Sequence, residues 1–256
     1  MSRPLNPRAA LAKARGIRPA TLEIRERAAM RGGDALPMCP TCGSPPAARA
    51  GEGLSQIYCR QCCQRANRHG SHFKTTYPAA TLRPYRHAAQ RFLRAHLLDT
   101  WIVHALHALA ALMDHAGPVE RVVDVYRLPP ADKARAALAR MRRREVPPER
   151  LLVNYLAVCC AIATDPISPG SETANYRRVQ AAKVCARTAA SNDGYYSDRL
   201  KNERYARSTG QALVHLGRWL EEACEHVETA HLAAILELAR AGTTAAPSQR
   251  TDHTSE

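Results

Sequence analysis

Four cysteines fall in two pairs, Cys39-Pro40-Thr41-Cys42 and Cys59-Arg60-Gln61-Cys62, with sixteen residues between the pairs. A two-residue gap lets both sulfurs of a pair turn toward one ion. Two such knuckles complete a tetrahedron of thiolates, which suits zinc. Cys39, Cys42, Cys59 and Cys62 are therefore the expected ligands. Four thiolates fill the coordination shell of Zn2+ and leave no open position for a substrate or an activated water, so the expected role is structural. A catalytic zinc would also want a neighbouring base, and no carboxylate occurs between Glu52 and Asp99. Cys63 adjoins Cys62, either as a spare thiol or as a ligand in its place.

Residues 37–66 resemble the zinc-ribbon class, in which two knuckles are brought together on short β-hairpins. The resemblance implies a metal module and no activity, since the class has many hosts. Pro45, Pro46, Gly51 and Gly53 let the chain reverse between the knuckles, and Gln56-Ile57-Tyr58 is the expected strand entering the second.

A cationic segment is continuous with this module. From Gly53 to Leu98 there is no Asp or Glu, against eight Lys and Arg, which is over half of the chain's net +14. Arg60, Arg65, Arg68, Lys74, Arg83 and Arg86 are the expected phosphate contacts, because cations that neutralise phosphates release counterions. Tyr58, Phe73, Tyr77 and Tyr85 are interleaved and offer faces for base stacking. With Lys+Arg 37 against Asp+Glu 23, the whole chain favours a polyanionic partner. The expected partner is nucleic acid, DNA before RNA, in a regulatory or mobile-element accessory role. The competing expectation docks the basic run on Glu221, Glu222, Glu225 and Glu228 of the last helix. The protein would then be a zinc-stabilised protein-interaction adaptor, or an accessory subunit of a nucleic-acid enzyme.

No P-loop, G-x-G-x-x-G, G-x-S-x-G or H-E-x-x-H motif occurs, so no enzymatic activity is expected. His96, His104, His107 and His115 share one side of a helical stretch and read as surface histidines, while Cys159, Cys160, Cys185 and Cys224 read as core. Nine cysteines without a secretory h-region point to a reducing, cytoplasmic setting. No membrane span is expected, since the most apolar stretch, Leu97 to Met113, contains Asp99, His104 and His107.

The elements that carry these residues are expected to be mainly helical. Aromatic residues are only 5%, and Ala and Leu must build the core. The expected order is a basic N-terminal extension over 1–37, the zinc-ribbon module over 38–70, a linker over 71–83, a multi-helix bundle over 84–240 and a disordered tail over 241–256. Pro84 is expected in the first turn of one long helix from Tyr85 to about His115, with Leu98, Ile102, Ala105, Leu109 and Leu112 on its buried face. Proline pairs at 129–130 and 147–148 start further helices. The second, LLVNYLAVCCAIA, is apolar all round and is expected at the centre. Leu213, Leu220, Val227 and Ala234 repeat every seven residues, with Leu216, Ala223 and Ala230 between them. That seam could join two copies of the chain, although an Ala among its four a-positions and Glu237 ending the d-series suit an intramolecular face better.

Overall fold

The computed structural model describes residues 38–44, 58–165, 172–189 and 210–244. The N-terminal extension, the inter-knuckle stretch with Gln56 and Ile57, the Ser191–Gly194 turn with Tyr195 and Tyr196, and the tail beyond Thr244 lie outside them. Two compact units divide between Thr75 and Thr76. The described residues are mainly helical and contain no strand.

The first unit contains α1, Arg60–His69. Gly70 ends it with φ +84, a left-handed conformation that glycine adopts without steric cost, and its N–H bonds the Ala66 carbonyl.

The second unit holds α2 (Ala79–Ala95), α3 (Thr100–Asp114), the single turn α4 (Val122–Val125), α5 (Pro130–Arg143), α6 (Pro148–Thr164), α7 (Glu172–Thr188) and α8 (Gln211–Thr244). Helix α6 is the centre, as its all-round apolarity requires. Leu151, Leu152, Tyr155, Leu156, Val158 and Cys160 are fully buried, and α2, α3, α7 and α8 pack around it. Prolines at the first helical position open α5 and α6, where the missing N–H has no intrahelical partner to lose.

The single helix expected from Tyr85 to His115 is two. Helices α2 and α3 are bent by 112° at the break, and α2 begins at Ala79, so Pro84 lies inside it rather than in its first turn. The expected linker over 71–83 is correspondingly shortened. The cause of the break is Asp99, whose carboxylate accepts the N–H groups of Trp101 (2.9 Å) and Ile102 (3.2 Å) and so starts a new helix. Leu98, placed on the buried face by its spacing, sits at the elbow and is 95% exposed. No single described helix is long and apolar enough to cross a membrane.

Arg142, from the basic run at 140–144, closes the C-terminus of α3. Its guanidinium donates to the carbonyls of Met113, Asp114 and Gly117. The last four carbonyls of a helix lack intrahelical donors, and a cation there also suits the helix dipole.

Helix α8 runs four residues past the expected boundary at 240. Its expected seam holds through Leu213, Leu216, Leu220, Ala223 and Val227, all buried in the core. Ala230 and Ala234 then turn outward, and Ile235 and Ala239 take their place. That drift is what a straight helix of 3.6 residues per turn imposes on a seven-residue repeat, so the face is used within the chain.

Candidate metal centre

The first knuckle is a tight turn. Gly43 N–H bonds the Cys39 carbonyl at 2.8 Å, and Cys39 N–H bonds the Ser44 carbonyl at 2.8 Å. Gly43 has φ +68, which is why a glycine follows Cys42. The second pair opens a helix rather than closing a hairpin. Cys59 is the N-cap of α1, extended at φ −71 and ψ 164, and its sulfur accepts the Cys62 N–H at 3.4 Å. Cys62 follows one turn inside the helix with its side chain turned the same way. Any strand made by Gln56 and Ile57 lies outside the described residues.

These two local geometries bring four sulfurs within 4.8 Å of one another, those of Cys39, Cys42, Cys59 and Cys62. Cys42 Sγ is 3.4 Å from Cys59 Sγ and 3.6 Å from Cys62 Sγ. A metal–sulfur distance of about 2.3 Å in a tetrahedron puts sulfurs about 3.8 Å apart, so the cluster already has the size of a filled site. Cys39, Cys59 and Cys62 are buried and Cys42 is exposed. Cys63 is not part of the group: its thiol points to the Tyr58 carbonyl at 3.8 Å.

The thiols of the group are perturbed in opposite directions. Burial raises the Cys39 thiol, but backbone hydrogen bonds at Cys59, Thr41 and Cys42 outweigh it and bring the thiol down to about 6. Hydrogen bonding to Ser44 lowers Cys42 as well. Cys62 is pushed up to about 12, first by burial and then by the neighbouring sulfurs of Cys59, Cys42 and Cys39. Thiolates this close repel one another, a divalent ion among them would offset that repulsion, and the four residues could hold one.

The chain after α1 folds back on this unit. His72 stacks on Tyr58 with ring centroids 3.7 Å apart, Phe73 meets Tyr58 edge-on at 6.1 Å, and Arg65 donates to the His72 carbonyl at 3.1 Å. Ser71 Oγ accepts the N–H groups of Phe73 and Lys74.

Of the six expected phosphate contacts, Arg60 and Arg68 are exposed on α1 and Arg83 is exposed on α2. Arg65 is half-buried in its bond to His72, and Lys74 is half-buried. Arg86 faces inward. Its Nε is buried without a hydrogen-bond partner, and burial, then the charges of Arg150 and Arg187, pull its guanidinium below the ordinary value. Arg91 and Arg94, omitted from that set, are exposed on α2. Their spacing of four and three from His87 and Arg91 carried the signal.

The aromatics expected to stack on bases make contacts within the protein, although Phe73 stays 40% exposed. Besides the Tyr58–His72 pair, Tyr77 is buried against Tyr176, and the Tyr85 hydroxyl bonds Thr164 Oγ1 at 2.8 Å. Of the acids offered as an internal dock for the basic run, Glu221 and Glu228 instead meet Arg177 and Arg178 of α7. The histidines of α2 and α3 form no metal group among the described residues. His96 and His115 each bond a carbonyl of their own helix.

No protein-family model matches the chain, and no curated protein or solved structure matches it.

Proposed function

We propose that this protein binds nucleic acid, DNA before RNA, and that a structural zinc ion holds its first unit together. The observation that carries the reading is the acid-free run from Gly53 to Leu98, with Arg60, Arg68 and Arg83 exposed on helices. Zinc is the ion of choice because four thiolates in a tetrahedron of this size suit it, and a full thiolate shell gives it no catalytic opening. Its part is to fix α1 beside the first knuckle, which presents Arg60 and Arg68 on a rigid helix. A second reading, a protein-interaction adaptor, draws support from Leu97, Leu98 and Trp101, which are exposed together at the elbow between α2 and α3.

Two measurements test the proposal. Protein purified without chelator should carry one zinc per chain, lost in Cys42→Ser and retained in Cys63→Ser. Titration against duplex DNA, single-stranded DNA and RNA at two salt concentrations should give binding that weakens steeply with salt. No salt-sensitive binding to any of the three at low ionic strength would leave the adaptor reading in its place.

A further inference from the structure

Helix α2 carries a line of basic residues along its outer face. Arg83, His87, Arg91 and Arg94 are all exposed, and they step by four, four and three residues. At 100° per residue they fall within about 80° of one another around the axis and span about 16 Å along it. None of the four has an ion pair, a hydrogen bond or a ring contact among the described residues. The opposite face, with Leu82, Ala89, Phe92 and Leu93, is buried in the core.

Three guanidinium groups on one helix face repel one another and add nothing to folding. The buried side alone accounts for the position of α2, so the outer line needs another explanation. We infer that this line is a phosphate track, and that its ligand is the backbone of a nucleic-acid duplex rather than a single strand. The inference rests on the nucleic-acid reading given above and adds the surface and the form of the ligand. Single-strand binding takes aromatic platforms as well as charge. Here Tyr77, nearest the line with Tyr85, is buried against Tyr176, and the half-buried Tyr85 is tied by its hydroxyl to Thr164 at the surface. What α2 itself turns outward is guanidinium, imidazole, the Gln90 amide and short side chains, which suits phosphates better than base stacking. An anionic membrane surface is a poorer match. An interfacial helix needs an apolar face to insert, and that of α2 is in the core.

The test uses the full-length, metal-loaded protein and the variant Arg83→Gln/Arg91→Gln/Arg94→Gln, whose circular dichroism should be unchanged because the side chains are exposed. Binding is followed by fluorescence anisotropy with a 30-base-pair DNA duplex, the same length of RNA duplex, and an oligothymidine of equal length, over a series of salt concentrations. The expected result is a duplex preferred over the single strand, and a log K against log salt slope about 2.7 smaller in the variant, at 0.9 per lost contact. The DNA and RNA arms tell which duplex supplies the phosphates. A variant slope equal to that of the wild type, with duplex binding intact, overturns the track and leaves the nucleic-acid reading standing. Preference for oligothymidine overturns the duplex assignment. Binding to anionic phosphatidylserine vesicles, with none to nucleic acid, overturns both.

Discussion

Gly217 of α8 lies against the backbone of Arg178 in α7, so close that a Cβ at this position would fall well inside 3.0 Å of the Arg178 carbonyl. The missing side chain sets the distance between the two helices. Gly217→Ala gains about 1 kcal/mol of helix propensity in isolation, but here it must push one backbone off another. We expect a net loss of about 1–3 kcal/mol, read as a lower urea midpoint. Gly242→Ala is the control, since a Cβ there meets nothing within 4 Å and the change should be neutral or mildly stabilising. Equal effects at the two sites would mean that the close approach does not govern the packing.

The same pair of helices is joined by a half-buried ionic network. Glu228 accepts from the Tyr155 hydroxyl at 2.6 Å and from Arg177 at 2.5 Å, while Glu221 accepts from both Arg177 and Arg178. Tyr155→Phe removes one donor and should cost about 1.5 kcal/mol, the range for a hydrogen bond to a charged group. Glu228→Ala strands both Arg177 and the hydroxyl. It should cost about 2–3 kcal/mol, between the values for exposed and buried pairs. In a double-mutant cycle the two changes should be clearly less than additive, and strict additivity would show that they do not share this contact.

Much of this was readable from residue types alone. Proline pairs and an apolar run placed α5 and α6, because those signals act locally. The cysteine spacing identified the four sulfurs that come together, since two-residue gaps dictate knuckle geometry whatever surrounds them. The elbow after α2 was missed because Leu98 continued the apolar spacing, while the capping of α3 by Asp99 outweighed it. The inward turn of Arg86 was missed for a different reason. It stands three residues from Arg83, and only the packing of α2 on its neighbours decides which of them meets solvent. The pairing of Arg177 and Arg178 with acids has no local signal, because their partners lie more than forty residues away.

Asp99 ties the start of α3 to His231 of α8. His231 Nε2 lies 3.1 Å from Asp99 Oδ1, and this contact, then the α3 backbone N–H groups of Ile102 and Trp101, hold the carboxyl below its ordinary value. A carboxyl depressed in the folded state stabilises fully above its unfolded value of about 3.9, and the contribution is lost as pH falls below that. Melting temperature followed from pH 6 to pH 3 should therefore drop less steeply in Asp99→Asn, which keeps a capping oxygen but cannot ionise. An unchanged acid limb would show that this tie does not couple to folding.

Chelation should affect the two units differently. In the first, the described buried cluster is Cys39, Cys59 and Cys62 with Tyr58 against them, which is no apolar core once the thiolates lose their ion. Metal binding there is local folding energy. The second unit has its own continuous core across α2, α3, α5, α6, α7 and α8. Removing the metal should abolish hydrogen-exchange protection in α1 while most of the far-ultraviolet helical signal persists. Collapse of the whole helical signal would mean that the second unit depends on the first.

Arg83 and Arg86 lie one turn apart in α2 and should respond in opposite ways to loss of charge. The Arg86 guanidinium is half-buried, its Nε has no hydrogen-bond partner, and Arg150 and Arg187 add like charge. Arg86→Met keeps the apolar stem that packs and removes a poorly compensated charge, so the unfolding midpoint should stay level or rise. Its duplex-binding slope against salt should match the wild type. Arg83→Gln should leave the midpoint alone, because the side chain is exposed, and reduce the slope by about 0.9. An equal loss of slope in Arg86→Met would mean that this guanidinium swings outward to a phosphate, and the line of contacts on α2 would then have to be drawn through it.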